Sequence, residues 1–160
     1  MTFIDAVVSV WEINRERTLA LIGELRGESD PQAAISWQPG AGRAHIGWQL
    51  THIAVTEELF AKERLIENKA GFADLVARFG KESKPDSNVP SLDEIVETLS
   101  ATREHLLETV RSLSDDDLQT IPAGLQPRGW TVQKALQIIS WHEAHHHGQA
   151  HITLNLFRNK

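Results

Sequence analysis

Residues Trp141–His151 read WHEAHHHGQAH, a stretch that holds five of the chain's eight histidines. The segment around it, from Thr131 to Phe157, contains no proline. Its apolar residues keep helical spacing, so it reads as one long helix. At about 100° per residue, Val132, Ala135, Ile139, Ala150 and Phe157 form one stripe, and His142 and His146 fall inside it. Four positions apart on a helix, these two imidazoles share one face about one turn, roughly 6 Å, apart. His147 and His151 fall on the opposite, wet side with Gln133 and Ser140, and His145 at an edge. No role follows from the positions of those three.

Outward from this helix the same periodicity recurs three times. A first helix is expected from about Thr2 to Leu25, on Ile4, Val7, Trp11, Ile22 and Leu25. A second is expected from about His45 to Asn68 and carries two apolar strips. Ile46, Leu50, Ile53 and Phe60 form one, and Trp48, Val55, Leu59 and Ile66 the other. Between them runs a polar seam of His45, Gln49, His52 and Thr56, the pattern of a lined pocket. A third helix starts after Ser91, whose hydroxyl and the following Asp93 and Glu94 suit a helix N-terminus. Thr131 caps the fourth.

The connections are unequal. Gly27–Ala41 is rich in glycine, proline and aspartate, and its Trp37 is placed to plug one end of the core. Lys69–Pro90 is the longest and includes FADLVARF, a candidate short helix. SDDDL, after the third helix, suits another helical turn. No strand alternation and no repeat interrupts this pattern. Four long amphipathic helices imply an all-α four-helix bundle with a long crossover between helices two and three, in one domain spanning residues 1–160.

Composition narrows the chemistry. The chain has 160 residues, no cysteine and a formal net charge of -6. Disulfides, thiolate metal sites and a cysteine nucleophile are excluded. The acidic balance argues against nucleic acid as the partner. No apolar run approaches the ~20 residues of a membrane span, and the N-terminus lacks signal-peptide features, so a cytoplasmic protein with no membrane partner is expected.

Five polar residues interrupt the core stripes, each near mid-helix: Arg15, His52, Arg103, His142 and His146. Mid-helix residues of a bundle share one layer, so these imply a polar layer within an apolar core. Burial costs several kcal/mol unless such groups are paired or bind something. A divalent metal on His52, His142 and His146 gives the imidazoles a purpose and leaves a coordination position open for water or an anionic ligand such as a thiolate. The bland alternative is a set of core-edge histidines hydrogen-bonded to backbone.

HIGWQLTHIAVTEE and, some ninety residues later, WHEAHHHGQAHITLNL resemble the DinB superfamily of metal-binding four-helix bundles, as does SWQPG before the second helix. The family's triad of one histidine in helix two and two, four apart, in helix four maps onto His52, His142 and His146. His147 stands where the family motif commonly has arginine. The resemblance implies a divalent ion, zinc or nickel first, with manganese or iron as further options, and often a homodimer. It also implies a small-molecule substrate, including low-molecular-weight thiols. It points to a thiol S-transferase-like enzyme, with a metal-dependent hydrolase or a noncatalytic, stress-associated metal-binding protein as alternatives.

Further residues are candidates by position. His45 shares the seam with His52 and is a candidate alternative ligand, outer partner or general base, set against a plain first-turn histidine. Arg15 and Arg103 are candidates to hold an anionic substrate group, set against pairing with acids such as Glu12. Gln49 and Gln149 are candidate outer partners of the ligands. Glu143 is expected at the surface or in an interface, and Trp141 against a neighbouring helix or subunit.

Overall fold

The computed structural model describes residues 1–160 and is all-helical, with no strand. Helix α1 spans Phe3–Arg26, α2 Pro31–Ser36, α3 Ile46–Glu58, α4 Ala73–Phe79, α5 Leu92–Arg111 and α6 Val132–Arg158. Helix α3 runs on without a break into a π-helical turn, Leu59–Arg64. Two 3-10 turns, Asp115–Gln119 and Ala123–Arg128, lie between α5 and α6. The second helix thus ends at Arg64, short of the expected Asn68, and Glu67 beyond it takes the left-handed conformation, φ 55°.

Side chains written in the sequence start the helices. Thr2 and Ser91 form reciprocal capping boxes with Asp5 and Glu94. Thr131 accepts from the Lys134 amide to open α6. Helix α3 is capped by an imidazole, since His45 Nδ1 accepts from the Trp48 amide at 2.9 Å.

Two apolar clusters fill the interior. One gathers Leu21, Leu25, Leu50, Ile53, Ile95, Leu99 and Leu154, the other Trp11, Phe60, Leu106, Val110, Leu136 and Ile139. Helices α1 and α6 pass from the second cluster to the first, whereas α3 and α5 pass from the first to the second. Consecutive long helices α3 and α5 therefore point the same way, and the segment between them must return along the molecule. That segment carries α4, whose Phe79 packs with Trp48 and Val55 on the outer face of α3. This is why α3 has two apolar strips and is buried along its whole length, from Ile46 to Glu58. Trp37 meets Phe157 edge-on at one end of the first cluster, ring centroids 6.0 Å apart. No helix is long and apolar enough to cross a membrane.

Between the two clusters each long helix contributes a charge to one interior network, in which Arg15 is partly buried and the other three are buried. Arg15 comes from α1, Glu57 from α3, Arg103 from α5 and Glu143 from α6. Arg15 donates to Glu143 Oε1 at 2.8 Å, to both Glu57 oxygens at 3.0 Å and to the Leu99 carbonyl at 2.6 Å. Arg103 bonds Glu57, and donates to Glu143 Oε2 at 2.6 Å and to the Trp11 carbonyl at 3.0 Å. Two cations and two anions close a neutral quartet, with every guanidinium nitrogen engaged.

Candidate metal centre

Helix α3 brings His52 against α6, where His142 and His146 stand one turn apart. The three ring centroids lie 4.5 to 4.9 Å from one another. One nitrogen from each ring falls within 4.8 Å of the other two, and the Nε2 atoms of His52 and His142 are 3.1 Å apart. Tetrahedral coordination at the usual Zn–N length separates ligand nitrogens by about 3.3 Å, so this spacing suits a shared ion.

The outer nitrogens decide the tautomers. His52 Nδ1 donates to the Phe79 carbonyl at 2.6 Å, and His146 Nδ1 donates to Gln49 Oε1. Both rings therefore keep the lone pair on Nε2, turned inward, the outer-partner arrangement common to metal-bound histidines. Trp48 stacks on the His52 ring, centroids 4.5 Å apart and 12° from parallel, and fixes its plane. Burial, then the neighbouring imidazoles, push His142 down to about 2 and His146 to about 3, and burial also lowers His52. All three are neutral near pH 7, the state a metal requires. The donor set fits a divalent ion.

The triad opens onto a cleft of about 420 Å³. Its walls are Trp48, Phe60, Trp130 and Trp141, and three cations, Arg64, Lys81 and Arg128, line it as well. The three histidines thus face a roomy, aromatic and positively charged space.

A family model described as the DinB superfamily matches residues 11–150. The chain belongs to the DinB superfamily. No curated protein matches it. The grouped histidines of this DinB-superfamily chain fit a metal-binding protein.

Several side chains of this DinB-superfamily protein stand elsewhere than their spacing implied. Arg15 and Arg103 do not line the cleft; every guanidinium nitrogen of both is engaged within the bundle, by Glu57, Glu143 and backbone carbonyls. Glu143 is 2% exposed, not at the surface. Helix α6 packs against both α1 and α3, which widens its buried arc beyond the stripe centred on the histidines. His45 is 1% exposed and has both ring nitrogens committed, Nδ1 to the Trp48 amide and Nε2 to the Asp86 carbonyl at 3.0 Å. It serves as a helix cap and has no nitrogen left to act as ligand or base. Gln149 reaches His145 Nε2 at 2.9 Å and not the triad, whereas Gln49 touches His146 directly. Trp141 is 56% exposed, stacks on His145 and faces the cleft.

Sequence reasoning passed over Glu57, Arg64, Lys81 and Arg128. Glu57 was within reach: Ile46, Leu50, Ile53, Glu57 and Phe60 follow one 3.6-residue strip, and only the acid broke it. The cleft cations had no such signal, because the π turn of Arg64, the 3-10 turn of Arg128 and the loop of Lys81 after α4 have no periodicity of their own.

Proposed function

We propose that this chain is a divalent-metal-dependent enzyme in which His52, His142 and His146 hold the ion and a small thiol attacks an electrophile in the adjoining cleft. The observation that carries the reading is the convergence of three imidazoles, two with Nδ1 protons fixed outward, at the wall of an open cleft. An ion held there supplies Lewis acidity that lowers the pKa of a thiol or water bound to it. Imidazole donors suit zinc and nickel.

The chain's own residues do the rest. Gln49 and the Phe79 carbonyl orient two of the rings, and Trp48 holds the His52 plane. The aromatic walls accept the apolar part of a substrate and exclude water from its reacting atom. In the reaction the thiol gives its proton to solvent water, its sulfur bonds to the electrophilic carbon, and the leaving group departs into solvent with the bonding pair.

We read the fold as a four-helix bundle with a long crossover between α3 and α5, in one domain over residues 1–160; the opposed directions of the helices support this. We further place the protein in the cytoplasm, acting on a small molecule as a homodimer; exposed Ile152 and Leu156 on α6 support an interface there.

Metal analysis of the purified protein and of His52→Ala, His142→Ala and His146→Ala tests the site, with about one ion per chain expected in the parent and little in the variants. Stoichiometric metal in all three variants would sink the assignment. Consumption of a small thiol by chlorodinitrobenzene tests the activity. A rate above background should vanish on chelation and return with added ion. A rate indifferent to chelation would overturn thiol activation.

A further inference from the structure

The net charge is -6, yet three cations line the cleft beside the triad. Every side-chain ion pair of the protein lies elsewhere, and neither Arg64 nor Arg128 takes part in one. Each guanidinium carbon lies over an aromatic ring, Arg64 Cζ over Phe60 at 4.3 Å from the centroid and Arg128 Cζ over Trp130 at 5.6 Å. A cation–π contact uses no N–H, so these donors stay free for a partner. Burial, then repulsion from Arg128, lowers Arg64 to about 10. Two like charges close enough to repel, with Arg64 half-buried and Arg128 exposed, cost free energy that an anion between them would recover.

The backbone is built to bring this pair together. Arg64 ends the π turn, whose extra residue per turn shifts its direction relative to an α-helix; such turns recur at functional sites. Arg128 ends the 3-10 turn Ala123–Arg128, which lies directly on the π turn through Gly124. A Cβ on Gly124 would strike the Glu63 carbonyl and come within 2.7 Å of Arg64 Cα. Only glycine permits that approach.

We propose that Arg64 and Arg128 form an oxyanion-binding subsite, with exposed Lys81 adding charge, for the carboxylate or phosphate group of a small molecule whose other end reaches the histidines. Two guanidinium forks match the paired oxygens of such groups better than a point charge does. The placement of the second end rests on the metal reading above; the anion subsite does not.

Two titrations separate these claims. In the first, chelated protein is titrated with inorganic phosphate against chloride at constant ionic strength, read by the fluorescence of the cleft tryptophans. A saturable phosphate response is expected, about tenfold weaker in Arg64→Met and in Arg128→Met. Circular dichroism confirms that the variants fold, and Arg64→Lys, which retains charge without the fork, should fall between. No response beyond that of chloride, or equal binding by parent and both Met variants, would overturn the subsite. In the second, cobalt-loaded protein is titrated with 3-mercaptopropionate and with 2-mercaptoethanol, read by the thiolate-to-cobalt absorption band. The carboxylate-bearing thiol should bind about tenfold tighter, and Arg64→Met should erase the difference. A phosphate response with no thiol band would keep the subsite and end the thiol reading. Equal thiol binding with no phosphate response would keep the thiol reading and end the subsite.

Discussion

His52 Nε2 and His142 Nε2 lie 3.1 Å apart although 90 positions separate them in the chain. His52 has its proton on Nδ1, given to the Phe79 carbonyl, so its Nε2 offers only a lone pair. Burial keeps both rings neutral. An ion placed among them satisfies nitrogens that otherwise compete for one another.

Gln49 should matter to that ion without touching it. Its Oε1 holds the Nδ1 proton of His146 and thereby fixes the tautomer. Gln49→Leu should weaken metal binding by roughly ten- to a hundredfold, the usual cost of losing an outer partner. Competition with a chromophoric chelator measures this; an unchanged affinity would detach Gln49 from the site.

Removal of the ion should leave the helices standing. The two apolar clusters and the quartet hold α1, α3, α5 and α6 together without it. After chelation, circular dichroism should keep its helical signal while the melting temperature falls, since a ligand that binds only the native state stabilises it. Loss of the helical signal would reveal a structural ion of the zinc-finger kind.

Arg103→Met should be costly. It strips partners from Glu57 and Glu143, both 2% exposed, and leaves a buried negative imbalance. A loss of about 3–5 kcal/mol in urea unfolding is expected. A loss under about 1 kcal/mol would mean that water reaches the layer and screens it.

His45 gives a pH signature. Burial lowers its pKa below 6.5, and its Nδ1 lone pair caps α3. As pH falls below 6.5, the unfolded chain takes up a proton that the folded one refuses. Stability is therefore lost from pH 6.5 down to the folded-state value, by up to about 1.4 kcal/mol per pH unit. His45→Asn keeps a capping oxygen but cannot titrate. Stability curves of parent and variant should run parallel above pH 7 and diverge below 6.5, with the parent falling faster. Curves parallel throughout would show that His45 titrates normally.

How much of this the sequence disclosed follows from what periodicity can see. The long helices, the caps at Thr131 and Ser91 and the proximity of His52 to His142 and His146 all lie on elements with a strong 3.6-residue pattern. Arg15 and Arg103 were legible as facing the interior, but their partners were not. Glu57 lies on an apolar strip where an acid reads as a break in the pattern, and Glu143 lies on the arc that packing against α1 and α3 adds beside the histidine stripe. Pairing across four helices is a tertiary fact, and so is the use of His45 as a cap. The α2 helix and the cleft cations on irregular turns had no periodic signature at all.

The quartet also acts as a ruler. Sliding any long helix by one turn, about 5.4 Å, would withdraw its charge and strand the other three in the interior. The four helices are thereby pinned at one relative height. Glu143 adjoins His142 in sequence, and Glu57 follows His52 by five positions on α3, so the ruler that sets the helices also sets the distance between the imidazoles. As a hypothesis, replacing all four charges with apolar residues of similar volume should leave a stable helical protein that nonetheless grips its ion poorly, although none of the four touches it. An undiminished metal affinity in that quadruple variant would show that packing alone keeps the register.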